Sequence, residues 1–322
     1  MDSEHRIGLL GLGVMTVAVA APHLDALPPL IRDLGVQSRP AALSPVQDRG
    51  QYREMMLDRE FTVRPGGTLR VDVPDADVEI RSGSDDKTIV RVFVAARDME
   101  WGRDVFNRME FDAGIAGDEV HIDARDPRLR RSDWSDRRGG VAVVVEVTAP
   151  RTFNAYVATG DGDIDIGDFE GNVKLETSDG DIYAGHLRGA EVTLETSDGE
   201  VSVESLAGER LMIHTQDGDV QVGLLTGPAR VSTGDGNIRV YLEEGNDINL
   251  RTGDGDIAIY ADPALRAEVD LSGESVRVAS GFNLDGRVTR HGAQGQLNGG
   301  GPMLYAHTGD GTVVIRERTR DR

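Results

Sequence analysis

The chain has 322 residues, with 35 Lys and Arg against 56 Asp and Glu, a formal net charge of −21, 40 glycines and no cysteine. That balance argues against nucleic acid or an anionic membrane surface as partner, since both call for a basic footprint. Without cysteine there is no disulfide, thiolate metal site, Cys nucleophile or lipid-modified Cys.

In chain order, residues 1–21 come first. MDSEHR precedes the apolar run Ile7 to Ala21, and Ala18, Val19 and Ala20 supply small residues where a signal peptidase cuts. Fifteen apolar residues are short for a bilayer span of about 20. The segment therefore reads as an export signal or a short uncleaved anchor, which places the protein outside the cytoplasm: periplasmic, at the cell surface or secreted. Prolines and mixed polarity over 22–58 predict a linker, with a short helix in QYREMMLDRE.

Residues 59–150 read as an N-terminal cap with irregular first coils. LRVDVPDADVEI, IVRVFVAA, EVHIDA and VAVVVEV are strand-like, and Met99, Trp101, Val105, Phe106 and Met109 fit one face of a short helix. Arg128 to Gly140 is a polar, arginine-rich loop, read as a solvated insertion.

From 151 to 318 one unit recurs, followed by a tail at 319–322. Its Thr returns at Thr159, Thr177, Thr196, Thr215, Thr233, Thr252 and Thr308, with Leu271 expected to stand in for it once. Two residues before that position stand Val157, Leu175, Leu194, Ile213, Val231, Leu250 and Val269. Five after it stand Ile164, Ile182, Val201, Val220, Ile238, Ile257, Val276 and Val313, and two further on come Ile166, Ala184, Val203, Val222, Val240, Ile259, Val278 and Ile315. This is period-two alternation repeated every 18 or 19 residues, the signature of a solenoid. The expected fold is an all-β parallel solenoid, or β-helix. Each coil supplies two strands, an Asp-Gly corner in which Gly tolerates positive φ and Asp bonds the local backbone, and a second Gly corner at Gly171, Gly189, Gly208, Gly227 and Gly245. AQGQLNGGGP (293–302) interrupts the ladder.

TGDGDIDI, TSDGDIYA, TGDGNIRV, the closing GGGPMLYAHTGDGTVVI and the opening REFTVRPGGTLRVDVPDADVEI resemble a bacterial β-strand-repeat domain family of unknown function, whose members are described as proposed adhesins. The resemblance covers residues 59–316. It implies a β-solenoid exposed outside the cytoplasm and carries over no catalytic residue.

No nucleotide loop, HExxH or nucleophile elbow occurs, so neither catalytic nor cofactor residues are expected. The expected function is a non-enzymatic structural or adhesin-like binding module at the cell envelope. Its partner would be an envelope protein, an envelope polymer or another copy of itself, and it would meet a membrane only through an uncleaved N-terminal segment. A second reading is a calcium-stabilised acidic roll. Stacking would align Asp161, Asp179, Asp198, Asp217, Asp235 and Asp254, with Asp163, Asp181, Glu200, Asp219 and Asp256 beside them. Ca²⁺ takes roughly six to eight such oxygens, although Asn237, Ser275 and Thr312 break the second column. A third reading is a polysaccharide-active enzyme, which would need converging carboxylates. Outside the corner lies a mixed polar column of Asp165, Tyr183, Ser202, Gln221, Arg239, Ala258 and Arg277. Tyr241 and Tyr260 are equivalent on adjacent coils, and His214 and His307 share another column several coils apart.

Overall fold

The computed structural model describes residues 52–125 and 140–318. The expected signal or anchor, the start of the linker, the arginine-rich loop up to residue 139 and the tail lie outside the described residues.

The described chain is all-β, with one largely parallel sheet and, among the described residues, one helix, Met99–Arg108. The repeats pair parallel and in register. Leu175 pairs with Val157 on one side and Leu194 on the other, and Ile182 pairs with Ile164 and Val201. Every residue of the inward columns from Val157 to Leu250 and from Ile164 to Ile259 is buried. Two inward columns were not anticipated. One lies four residues before the Thr (Ala155, Val173, Val192, Leu211, Ala229 and Ile248), and the other comprises Phe169, Leu187, Leu206, Leu225 and Leu242. The second follows a polar pair, such as Gly185-His186, that interrupts strict alternation. Ile182–Glu195 and Val201–His214 consequently pair as long strands that run through the Gly189 and Gly208 corner without a break.

The Asp-Gly corner works differently from the expectation. No glycine of this corner has positive φ; in the second corner Gly227 does, at +112°. Gly is needed here because backbones touch. A Cβ at Gly199 would collide with the carbonyl oxygen of Gly180, and one at Gly218 with that of Gly199. What draws them together is the Thr, which is buried in each coil that carries it. Thr215 Oγ1 accepts from the Gly218 N–H (3.2 Å) in its own coil and faces the carbonyls of Ser197 (3.1 Å) and Gly199 (3.0 Å) in the coil before. Thr196, Thr233, Thr252 and Thr308 repeat the pattern.

Spatial order departs from sequence order at both ends. The closing strands Met303–Thr308 and Thr312–Glu317 lie between the coil of Ile248–Thr252 and Ile257–Ala261 and the coil of Ala267–Ser272 and Ser275–Val278. Leu271 does not take the Thr position. It pairs with Ala306, two places earlier, because this corner is two residues shorter, and Gly273 sits against Thr308 instead. A hairpin, Leu284–Val288 with Gly292–Leu297, covers Ala267–Ser272 in antiparallel fashion.

At the other end Val73 pairs with Thr159 and Val78 with Ile164, as the template predicts. Val141–Pro150 runs parallel to Asp77–Gly83, and Lys87–Ala96 then adds antiparallel. The expected helix in QYREMMLDRE is instead the strand Tyr52–Thr62, antiparallel to Lys87–Ala96 and beginning inside the segment read as linker. A register shift between Met55 and Leu57 breaks the alternation that would have marked it. The helix packs Gly102 and Val105 inward, and its N-terminal amides at Glu100 and Trp101 donate to the Asp98 carboxylate.

Substitutions at the corner and in the inward columns test this packing by thermal or denaturant unfolding. Thr215→Val leaves buried donors and acceptors unpaired and should cost about 1–3 kcal/mol, while Thr215→Ser retains most of that. Gly218→Ala should cost about 3 kcal/mol or more through overpacking against a backbone that cannot yield. Gly167→Ala, whose Cβ would find its nearest neighbour at 3.7 Å, should be tolerated. Val222→Asp should cost roughly 3–5 kcal/mol as an unpaired buried charge, against about 0.5 kcal/mol or less at outward Ser202.

Candidate functional site

The corner carboxylates form two columns with different employment. Asp161, Asp179, Asp198, Asp217, Asp235 and Asp254 are exposed at the turn. The backbone N–H of Asp198, Asp217, Asp235 and Asp254 each donates to a carbonyl of the coil before. In the second column the side chains serve the next coil. Asp163 Oδ1 accepts from Asp181 N (3.0 Å), Asp181 Oδ1 from Glu200 N (2.8 Å), Asp219 Oδ1 from Asn237 N (2.7 Å) and Asp256 Oδ1 from Thr312 N (2.7 Å). Asn237 keeps the pattern, its Oδ1 accepting from Asp256 N at 2.9 Å. Asn237 thus breaks the acidic column without breaking the hydrogen-bond ladder there. Burial first, then Asp181 and Asp219, raise the Glu200 carboxyl above its usual range. Among the described residues no group of three or more His, Asp or Glu is gathered as a metal would gather it.

The outward face beyond the corner is where sequence-distant residues meet. In spatial order its central column reads Asp165, Tyr183, Ser202, Gln221, Arg239, Ala258, Val314 and Arg277. Val314 enters only because the closing strand is inserted. The neighbouring column brings Tyr241, Tyr260 and Arg316 side by side. The tyrosine rings stack at 4.4 Å and 11°, and Arg316 lies over Tyr260 at 5.8 Å, with its Nη1 donating to the Tyr260 hydroxyl at 3.3 Å. Burial, then Tyr260, push the Tyr241 hydroxyl up to about 12. The third column holds Asp219, Asn237, Asp256 and Thr312.

These three columns enclose a groove of about 410 Å³, within the usual range for ligand clefts. Short Ala258 and Val314 form its floor, and long Arg239, Arg277 and Arg316 rise around it. Sequence reading found Arg239, Arg277 and the tyrosine pair but could not bring Arg316 to them. The adjacency of residues 260 and 316 depends on the strand insertion, which leaves no periodic trace. His214 and His307 stay apart, each bonded to a serine, Ser232 at 3.0 Å and Ser272 at 2.9 Å.

A second polar cluster lies nearer the first end. Arg81 grips Asp165 through two bonds of 2.9 and 2.6 Å. The His186 ring lies 3.1 Å from Ser205 Oγ and 3.6 Å from Glu204. Burial chiefly raises the Glu204 carboxyl; His186 opposes this, and Asp168 and Asp165 add to it. Glu79 is raised likewise by burial, against Arg81 and with Glu146 and Asp165.

The sequence profile of the Toastrack DUF4097 family matches residues 67–316. No curated protein matches. Solved structures similar to this chain include a proposed adhesin from Bacteroides fragilis NCTC 9343, at 11% identity over 82% of this chain and 97% of that one, with a TM-score of 0.44. They also include a proposed lipid-binding protein from Parabacteroides distasonis ATCC 8503, at 12% identity over 82% and 96%, with a TM-score of 0.41.

The raised Glu204 sets a pH test. A carboxyl whose folded pKa exceeds its unfolded value contributes stability below the unfolded value, here near 4.5, that is lost as pH rises through the folded value. Glu204→Gln should therefore melt above the parent at pH 7, with the gain shrinking as pH falls toward 4.5. A difference that does not change with pH would show that ionisation of Glu204 is not its source.

Proposed function

The chain belongs to the Toastrack DUF4097 family, and on that premise we propose that it is an exported, non-enzymatic β-solenoid module that binds a partner at the bacterial envelope. Its coils take about 18–19 residues, and the antiparallel strands and helix before residue 150 act as its N-terminal cap. Such strands shield a sheet edge that would otherwise pair with other chains.

The observation that carries the binding role is the arginine-walled groove on the outward face. In a chain of net charge −21, exposed Arg239 and Arg277 have no ion-pair partner among the described residues, and both line one concavity. Arginines set there against the overall charge are better accounted for by a ligand than by the fold, because the ladder beneath is complete without them. The carboxylates of Asp163, Asp181, Asp219 and Asp256 have structural work in the hydrogen-bond ladder, which supports a binding role over a catalytic one. Export rests on the apolar run Ile7 to Ala21 with its small residues at Ala18 and Ala20. Among the described residues no helix is long and apolar enough to cross a membrane.

Fractionation of cells carrying a C-terminally tagged chain, with mass spectrometry of the recovered protein, tests export. The expected result is an extracytoplasmic protein that either begins just after Ala20 or keeps its N-terminus and sediments with membranes. Full-length protein in the soluble cytoplasm would contradict it.

A further inference from the structure

We propose that the groove binds a short stretch of acidic polysaccharide, with sugar carboxylates on Arg239 and Arg277 and sugar hydroxyls on the corner side chains; this deepens the binding role proposed above and rests on it.

The groove is built to a particular chemistry. Arg239 and Arg277 occupy one column three strand steps apart, Arg239 to Ala258 to Val314 to Arg277, which is about 14 Å at normal strand spacing. Two cations so separated suit a ligand with repeated acid groups better than a single small anion. The guanidinium fork matches a carboxylate with two parallel hydrogen bonds. Arg316 is different, because it is already engaged with Tyr260. It holds that ring in place as a wall and is a positioning residue.

The opposite wall selects against a bare polyanion. Asp219 and Asp256 line it together with Asn237 and Thr312. One oxygen of each carboxylate accepts a backbone N–H, and a carboxylate offers about four acceptor sites in all. Such a wall repels phosphate chains and accepts hydroxyl donors. An acidic peptide brings carboxylates but few hydroxyls. A chain of sugar acids brings both, in the arrangement the two walls require. Tyr260 offers no open ring face for stacking, since Tyr241 and Arg316 cover it, so recognition is polar throughout. A three-residue uronide would span the floor of Ala258 and Val314 with an acid group near each arginine.

Calorimetric titration of the whole chain tests this with four probes: a trigalacturonide, its methyl ester, polyphosphate and polyglutamate. The expected result is saturable binding of the trigalacturonide, weakened about tenfold or more by Arg239→Gln and again by Arg277→Gln, with little or no binding of the ester. Both substitutions are on exposed side chains, and an unchanged melting curve will show that the variants fold. No uronide binding, binding untouched by the two substitutions, equal binding of the ester, or polyphosphate or polyglutamate binding as tightly would each overturn the assignment. Export is read independently by fractionation, so failure here leaves that reading standing, and failure there leaves this one.

Discussion

A buried hydroxyl bonded across two coils holds each corner of this stack against the next. Stacking coils at strand spacing brings one corner's backbone against the next, and each corner then has an amide and carbonyls that water cannot reach. The Thr side chain resolves this with a single group, because a hydroxyl donates once and accepts twice. It accepts from the glycine three residues on and donates into the coil before. That geometry needs a glycine with no Cβ, hence the fixed spacing of Thr and Gly. The ladder also explains its own ends. Donation runs toward the preceding coil: Thr159 reaches back to the Ala76 carbonyl, and in that preceding coil Val73 holds the Thr position without a hydroxyl. Beyond Thr308, Gly273 takes the position and the Glu274 N–H bonds the Gly311 carbonyl directly.

The acidic corners follow from the same stacking. Aligned carboxylates repel by roughly 1 kcal/mol in water at such spacing. The second column offsets this by giving one oxygen of Asp163, Asp181, Asp219 and Asp256 a neighbouring amide, a charge-assisted bond stronger than a neutral one. An amide oxygen can do the same, which is why Asn237 continues the ladder. Glu200 fits less well: partial desolvation, then Asp181 and Asp219, raise its exposed carboxyl.

The columns were legible in the sequence because every coil repeats the same inward positions, and a repeated alternation is the strongest signal a strand leaves. The Thr was visible as a fixed mark but not as a buried group, since a polar residue in a turn reads as exposed. The Phe169-to-Leu242 column escaped because a polar pair shifts it out of alternation. Strand Tyr52–Thr62 escaped because its register shift breaks the pattern, and its Met-rich middle favours a helix reading. The groove was the least legible element. Arg239 and Tyr260 could be placed on neighbouring coils from their spacing alone, but Arg316 and Val314 reach them through a strand inserted out of order. That pairing rests on tertiary packing of the last coil, which the local pattern does not encode.

Native-state hydrogen exchange at the corner glycines tests the account most directly. The amides of Gly199, Gly218, Gly236, Gly255 and Gly311 each donate to a buried Thr hydroxyl. If those hydroxyls tie the coils together, these turn amides will be protected as strongly as the adjacent strands and will exchange only when coils separate. Exchange as fast as in ordinary exposed turns, with the neighbouring strands still protected, would contradict it.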